Sequence, residues 1–330
     1  MTFPYRTAID EEIRAAIRRD LLRKKKCEYL LAEEDSLGKE VFEPYTGFPL
    51  VAGITTNGSG DIAELLRLLR RKIKMVGLDV HGTLVTRDQC DDFSHAGHFR
   101  EISAWAKSAG LPLVMVSAMP SREGEGVARL LGLLGNPAIY ELGHVLTLAV
   151  SPCDPYINQA VTVEMEDALD DLRRWLRRDI LPTLPGVFRE PKVVIMSLNT
   201  RGASTDARKW LIDQIAGRMD KKLMPLQIST SDATLDIGGV GISKITGLRS
   251  LASDLGLGSI DGEIIAVGDS LNDVDLLDAA GPGLLGCPSN AHAQVQVYVE
   301  EHGGIVSGSP CLAGTLECLM RLAWRNAHGK

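Results

Sequence analysis

The sequence of 330 residues has little of three features that mark large classes of protein: paired cysteines, basic charge and long apolar runs. None of its six cysteines forms a CxxC pair, so neither a zinc site nor a disulfide framework is indicated, and a reducing compartment is expected. The formal net charge of −7 argues against broad binding of nucleic acid, which needs a basic face. No apolar run is long enough to span a membrane, and the first residues, MTFPYRTAIDEE, lack the apolar core of a signal peptide. The sequence therefore predicts a cytoplasmic protein that binds neither nucleic acid nor a membrane.

The most informative stretch is MVGLDVHGTLVT, residues 75–86. A short apolar run that is preceded by charge and followed by a turn glycine, here Gly82, is typical of a buried strand in a parallel sheet. Asp79 is then at the carboxyl end of that strand, where ligands bind in open α/β sheets. Such a carboxylate is a metal ligand, a nucleophile or a turn cap.

Further apolar segments alternate with helical ones on both sides of the chain's middle. Strands are predicted at 111–117, 138–141 and 263–267, with helices at 99–108 and 122–134. This alternation implies an α/β fold with a parallel sheet and right-handed crossovers. Because the carboxyl ends of parallel strands lie at one edge, Asp79, Ser117 and Asp269 should converge there. Lys244 follows the Gly-rich turn GGVGIS and is expected to reach the same edge.

Two other regions complete the predicted organisation. Residues 1–72 predict a helical and loop extension, interpreted either as an appendage on the core or on a second subunit, giving a homo-oligomer, or as a lid. Residues 147–234 predict a small α/β domain inserted between two core segments, 73–146 and 235–330. Its elements are predicted as helices at 163–180 and 204–218 and strands at 192–198, 223–229 and 232–236. An inserted domain over the sheet edge would cap the site and exclude water.

The polar residues expected at the sheet edge suit phosphate chemistry. Asp79, Asp269 and Asp273 form a carboxylate cluster of the kind that binds Mg²⁺, which prefers oxygen ligands. Ser117 and Lys244 offer a hydroxyl and a cation to phosphate oxygens. Taken singly, each has a plainer explanation: Ser117 as a strand-end cap, Lys244 as a solvated lysine and Asp273 as a helix cap.

The insertion carries four more polar candidates around one predicted strand: Arg189, Lys192, Asn199 and Arg201. They can bind the polar part of a substrate, although a solvated face explains any single one of them.

Taken in order, these motifs resemble the haloacid dehalogenase (HAD) superfamily phosphatases, in the type IIB branch with a large α/β cap. That branch includes Cof-type, sucrose-phosphate, mannosyl-phosphoglycerate and phosphomannomutase enzymes. The segment LDVHGTLVT is similar to the first motif, VMVS to the second, GVGISK to the third and GDSLND to the fourth. The resemblance covers residues 73–319 and implies a Rossmann-like parallel-sheet core with an inserted cap domain.

The resemblance also implies roles for individual residues. Asp79 would be the nucleophile that forms an aspartyl-phosphate, with Asp269 and Asp273 as further ligands of Mg²⁺. The backbone carbonyl of residue 81 would complete the protein's share of the metal site. The expected contacts to the substrate phosphate are Ser117, Lys244 and Asn272.

One position departs from the family pattern. The family has a second aspartate two residues after the nucleophile, acting as general acid and base, whereas this sequence has His81. An imidazole has an unperturbed pKa of about 6.5, so His81 can give a proton to a leaving group and then take one from water. The other interpretation is that His81 is a poor substitute and turnover is slow.

Three functions follow from these observations. The first is an Mg²⁺-dependent phosphatase of a small phosphorylated metabolite, with a sugar phosphate as the metabolite class that the family implies. The second is phosphoryl transfer between positions of one sugar, as in the mutases of the branch. The third is a binding or regulatory protein that kept the fold and lost turnover at His81.

Overall fold

A computed structural model of the chain describes residues 73–86, 95–108, 110–151, 153–231 and 233–328. The predicted extension, residues 1–72, lies outside this part of the chain, and so does any oligomer that it would form. Within the described ranges, none of the helices combines the length and the apolar character that crossing a membrane would require.

The described residues form two sheets, and the larger has eight strands in the order β12-β11-β10-β1-β2-β3-β4-β5. The six strands from β12 to β3 run parallel, as the alternating pattern predicts, and β4 and β5 are added antiparallel at one edge. The bounds are β1 Met75–Asp79, β2 Leu113–Val116, β3 Ala138–Tyr140, β4 Val145–Thr147, β5 Tyr156–Ile157, β10 Ile264–Val267, β11 Leu285–Cys287 and β12 Ile305–Val306.

The helices around this sheet cover both of its faces. One face carries an apolar cluster that includes Phe99 and Leu322, and the other carries a cluster that includes Leu248 and Leu276. Burial on both faces explains why the central strands read as apolar runs without alternation. The helices are Ala96–Ser108, Ser121–Leu131, Lys244–Asp254, Val274–Ala280, Ala293–Glu301 and Cys311–His328.

The smaller sheet has four antiparallel strands in the order β6-β7-β9-β8. Its strands are β6 Phe188–Arg189, β7 Met196–Asn199, β8 Leu226–Thr230 and β9 Thr234–Gly239, and its helices are Val163–Trp175 and Thr205–Lys221. A third apolar cluster, which includes Leu169, Leu211 and Ile237, lies within this unit. The insertion thus has its own core.

The two sheets divide the chain at other points than the predicted boundaries at 147 and 234. Strands β4 and β5 still pair with the large sheet, which therefore extends to Ile157. Strand β9 pairs only with strands of the small sheet, which extends to Gly239. The turn at Glu141–Gly143 reverses the chain after β3, and sequence analysis missed it because only Gly143 signals a positive φ there.

The predicted strand at 192–198 is shorter in the structure and begins at Met196. The backbone N–H groups of Val193, Val194 and Ile195 donate to the carboxylate of Glu141 instead of to a neighbouring strand. The apolar β-branched run Val193–Ile195 predicts a strand, but the distant Glu141 side chain binds its backbone instead.

Candidate active site

The site is built around Asp79, which lies at the carboxyl end of β1 and is 4% exposed. Lys244 opens the helix Lys244–Asp254, and its Nζ donates to Asp79 Oδ1 at 2.6 Å, to Asp273 Oδ1 at 2.5 Å and to Asn272 Oδ1 at 3.2 Å. Ser243 caps that helix through a capping box with Thr246, which fixes the start of the helix at Lys244. The lysine is buried, so the interpretation of Lys244 as a solvated lysine is wrong.

Three carboxylates meet beside this lysine. One oxygen each from Asp79, Asp269 and Asp273 lies within 4.8 Å of the others, and all three residues are buried. Asp79 ends β1, and Asp269 and Asp273 follow β10, which pairs in parallel with β1 at the centre of the large sheet. The convergence expected at the sheet edge is therefore present.

Two site residues perform the plainer structural role as well. Asp273 Oδ2 accepts hydrogen bonds from the backbone N–H groups of Asp269 and Ser270 and from the Ser270 hydroxyl. Ser117 Oγ accepts from the Met119 N–H at 3.1 Å and closes the turn after β2. For Asp273 the capping role uses Oδ2, while Oδ1 accepts from Lys244, so the interpretation as a cap is confirmed and the role as a metal ligand stays a prediction.

The ionisation of the cluster follows from burial and from these neighbours. Burial and the nearby Asp273 raise the pKa of Asp79 above its ordinary value, and Lys244 opposes that rise. Burial by itself would lower the pKa of Lys244, but Asp273 and Asp79 outweigh it, so its net shift is upward. Lys244 is therefore a permanent cation within the carboxylate cluster.

The loop after β1 approaches the cluster closely at Gly82. Its φ is 88°, and a Cβ at this position would lie 2.1 Å from Asp269 Oδ2. Asn290 Nδ2 donates to the Gly82 carbonyl at 2.7 Å, and Thr315 Oγ1 donates to the Thr83 carbonyl at 2.8 Å. The loop that carries His81 is thus held from two distant segments, which sequence analysis did not anticipate.

A cavity of about 430 Å³ opens in front of Asp79, between the large sheet and the inserted unit. The predicted site residues on its wall are Asp79, His81, Ser117, Lys244 and Asn272. A larger cavity of about 610 Å³ also borders Lys244 and Asn272, but Asp79 is not part of its wall. The smaller cavity is therefore the one in which a substrate can meet the carboxylate.

The inserted unit supplies the opposite wall of this cavity. Lys192, Asn199 and Arg201 line it, as do Glu190 and Asp236, whereas Arg189 is not part of the wall. Lys192 is 3% exposed, and its Nζ donates to Asp236 Oδ1 at 2.8 Å and lies 3.5 Å from Glu190 Oε2. Sequence reasoning missed Glu190 and Asp236. Asp236 reaches the wall from β9, and its partner there, Lys192, lies 44 positions earlier in the segment between β6 and β7.

The comparisons with known proteins agree with this architecture. A sequence profile of the haloacid dehalogenase-like hydrolases matches residues 192–300, which include Lys244 and the whole GDSLND segment. The sucrose-phosphatase from Synechocystis sp. PCC6803, solved with sucrose and phosphate, is similar in fold, with a TM-score of 0.56 at 14% identity. That likeness covers 76% of this chain and 98% of that one. The chain is thus similar to the haloacid dehalogenase-like hydrolases in the profile of residues 192–300 and in fold.

Further proteins are similar to this chain in fold or in sequence. An HAD/COF-like hydrolase from Plasmodium vivax is similar with a TM-score of 0.55 and 15% identity, over 79% of this chain and 99% of that one. The phosphoglycolate phosphatase of Methanococcoides burtonii is 24% identical over 212 residues, which are 64% of this chain and 82% of the relative. The phosphoglycolate phosphatase of Natronomonas pharaonis is 32% identical over 102 residues, 28% of this chain and 44% of the relative. The matching hydrolase profile and the names of the two phosphoglycolate phosphatases support an enzyme of the phosphatase class.

Proposed function

We propose that the protein is an Mg²⁺-dependent phosphatase of a small phosphorylated metabolite and works through an aspartyl-phosphate on Asp79. The observation that carries this proposal is the buried carboxylate cluster around Lys244, of which Asp79 lines a cavity of about 430 Å³ together with Lys244. A carboxylate nucleophile beside a fixed cation is the arrangement that covalent phosphoryl transfer needs.

The residues of this carboxylate cluster fit a divalent cation. Three buried carboxylates with one lysine leave an excess of negative charge, and their oxygens are the ligands that Mg²⁺ prefers. Asp79, Asp269 and Asp273 would hold the ion, with the backbone carbonyl of His81 as a further ligand that the family resemblance suggests. Bound there, Mg²⁺ would offset the repulsion between Asp79 and the anionic phosphate.

The chain's own residues supply the rest of the reaction. Asp79 attacks phosphorus through a carboxylate oxygen, and the bond from phosphorus to the leaving-group oxygen breaks while His81 gives that oxygen a proton. Water then attacks the aspartyl-phosphate, His81 takes its proton, and inorganic phosphate leaves with Asp79 restored. Ser117, Lys244 and Asn272 are the donors for the phosphate oxygens during both steps.

The wall formed by the inserted unit supports a hydroxylated leaving group, and hence a sugar phosphate. Lys192 is already paired with Asp236 and lies close to Glu190, so this wall, which also carries Arg201, offers two carboxylate acceptors around a neutralised lysine. Carboxylates accept hydrogen bonds from hydroxyl groups and repel a second carboxylate. The phosphatase relatives carry names for both kinds of substrate, phosphoglycolate and sucrose phosphate. The wall favours the second kind.

The test is phosphate release, with Mg²⁺ and with excess EDTA, from a panel of glucose 6-phosphate, mannose 6-phosphate, sucrose 6-phosphate, phosphoglycolate and p-nitrophenyl phosphate. Asp79→Asn should abolish release and keep the fold, because the amide is nearly isosteric but a very poor nucleophile. Asp261→Asn is the matched control, since Asp261 is exposed in an ion pair with Arg249. Unchanged release by a folded Asp79→Asn protein would rule out Asp79 as the nucleophile.

The same panel separates the other functions. Binding of a sugar phosphate by calorimetry without release from any compound would favour the binding or regulatory protein. Activation by glucose 1,6-bisphosphate, with movement of phosphate between sugar positions, would favour the mutase. The cytoplasmic location stays a prediction from the sequence.

A further inference from the structure

Glu141 is a buried carboxylate that the proposed reaction does not use. It follows β3 in the large-sheet unit and is 1% exposed. Its Oε1 accepts the backbone N–H of Val193 at 2.8 Å, and its Oε2 accepts those of Val194 at 2.8 Å and Ile195 at 3.0 Å. Three successive N–H groups make a concave anion-binding surface, and here the anion is a side chain from the other unit.

The backbone of the same turn holds the opposite side of the cavity. The Leu142 N–H donates to the Ser117 carbonyl at 3.1 Å, and the Glu141 N–H donates to the Met119 carbonyl at 3.2 Å. Glu141 and Leu142 have φ values of 49° and 56°, a left-handed conformation that side chains other than glycine adopt at a cost. Such a conformation persists only where the surrounding contacts determine it, and here those contacts reach both units.

The segment that Glu141 holds continues directly from the cavity wall. Val193 follows Lys192, whose ammonium is buried against Asp236. The carboxylate of Glu141 therefore fixes the backbone next to Lys192, while its own backbone fixes the loop that begins at Ser117. One residue thus contacts both the loop that begins at Ser117 and the segment that follows Lys192.

We infer that Glu141 is a positioning residue: its hold on Val193–Ile195 keeps the Lys192 wall in register with Ser117 and Asp79. The inference rests on the proposed phosphatase function for its kinetic consequence, but the tether itself has a readout without turnover. Glu141→Gln keeps the shape of the side chain, removes the charge and leaves one oxygen to accept where two did. The amide of glutamine has no acceptor on its nitrogen for the remaining N–H groups.

The first measurement is amide hydrogen exchange of the peptide that spans residues 190–196. In Glu141→Gln this peptide should exchange at least about tenfold faster, because it loses charge-assisted hydrogen bonds, while peptides of β1 and β10 stay unchanged. The control is Tyr156→Phe, which removes a hydrogen bond of 2.6 Å to Asp254 within the large-sheet unit, away from the cavity. Unchanged exchange at 190–196 would overturn the inference whatever the enzyme does.

The second measurement uses the compound of the panel with the highest kcat/KM. Glu141→Gln should raise its KM about tenfold or more with a smaller change in kcat, whereas Tyr156→Phe should change neither. If Glu141 acts through Lys192, the double variant Glu141→Gln/Lys192→Met should lose no more than Lys192→Met alone. If the losses of kcat/KM in Glu141→Gln and Lys192→Met multiply in the double variant, Glu141 only stabilises the fold. Equal losses of kcat in these two single variants would mean the same.

Failure of the proposed function looks different from failure of this inference. A wild type that releases phosphate from no compound refutes the phosphatase, and the exchange measurement still decides whether Glu141 holds the wall.

Discussion

Replacing Lys244 by methionine should destabilise the protein severely when no divalent cation is present. Lys244 is 2% exposed, with its Nζ 2.6 Å from Asp79 Oδ1 and 2.5 Å from Asp273 Oδ1. Methionine fills a similar volume, so the loss comes from leaving buried carboxylates without their cation rather than from a cavity. Removing one partner of a buried ion pair costs about 3–5 kcal/mol in the free energy of unfolding.

The assay is equilibrium unfolding in urea, in excess EDTA and again in millimolar MgCl₂. The proposed Mg²⁺ site exists only in the folded chain, so Mg²⁺ should restore part of the lost stability. Lys222→Met is the matched control, because Lys222 is 46% exposed and pairs with Asp171 at 2.8 Å. An exposed pair of this kind contributes about 1 kcal/mol or less.

A second variant tests whether charge is the cause. Asp79→Asn/Lys244→Met removes one of the uncompensated carboxylates and should be more stable in EDTA than Lys244→Met alone. A loss in Lys244→Met no larger than that in Lys222→Met would refute this reasoning. So would a loss that Mg²⁺ and the second substitution both leave unchanged.

Two further predictions concern histidines. His81→Ala should slow hydrolysis of alkyl phosphates by about 10²–10⁴-fold and that of p-nitrophenyl phosphate much less, since its leaving group needs little protonation. Equal cleavage of alkyl phosphates by both proteins would exclude His81 as the acid, and a strong gain from His81→Asp would favour an attenuated protein. Burial lowers the pKa of His144 to about 4. As the pH falls, this histidine is protonated near pH 6.5 in the unfolded chain but only near pH 4 in the folded protein. The free energy of unfolding should therefore fall by up to about 3 kcal/mol between about pH 6.5 and 4. His144→Gln should flatten this part of the urea-unfolding profile, and an unchanged slope would contradict the assignment.

His144 also shows how the two units are joined at the end of β9. Its Nδ1 lies 2.8 Å from the Glu141 carbonyl, and its Nε2 accepts the Gly239 N–H at 2.8 Å. Only a neutral imidazole can donate at one nitrogen and accept at the other. The predicted loss of stability in acid is thus a loss at the junction between the units.

Much of the large sheet and of the cluster at its edge was predictable, because their signals are local. The run before Asp79 and the run before Asp269 are short and apolar, and each ends in a polar turn. Parallel pairing of β1 with β10 then brings these acids together without further information. Lys244 was predictable from the turn before it, although its burial was not.

The second wall of the cavity was only partly predictable. Lys192 and Asn199 were candidates because they are polar residues around an apolar strand. Glu190 and Asp236 gave no such signal, since what marks them is contact with the buried Lys192, which for Asp236 is a contact with a residue 44 positions away. The roles of all these residues in binding a substrate stay predictions.

The sequence by itself determined the segments whose structure depends on residues close by in the chain. These are the buried strands, the glycine turn at Gly82, and the acids at the end of β1 and after β10. Only the tertiary structure decided where the units divide, because β5 joins the large sheet through its pairing with β4 and β9 joins the small sheet through its pairing with β7, and no local signal specifies either pairing. It also decided the fate of Val193–Ile195, a run with strong strand propensity. Local propensity favours a strand there, but a buried carboxylate 52 positions earlier binds the same N–H groups and needs them to offset its own burial.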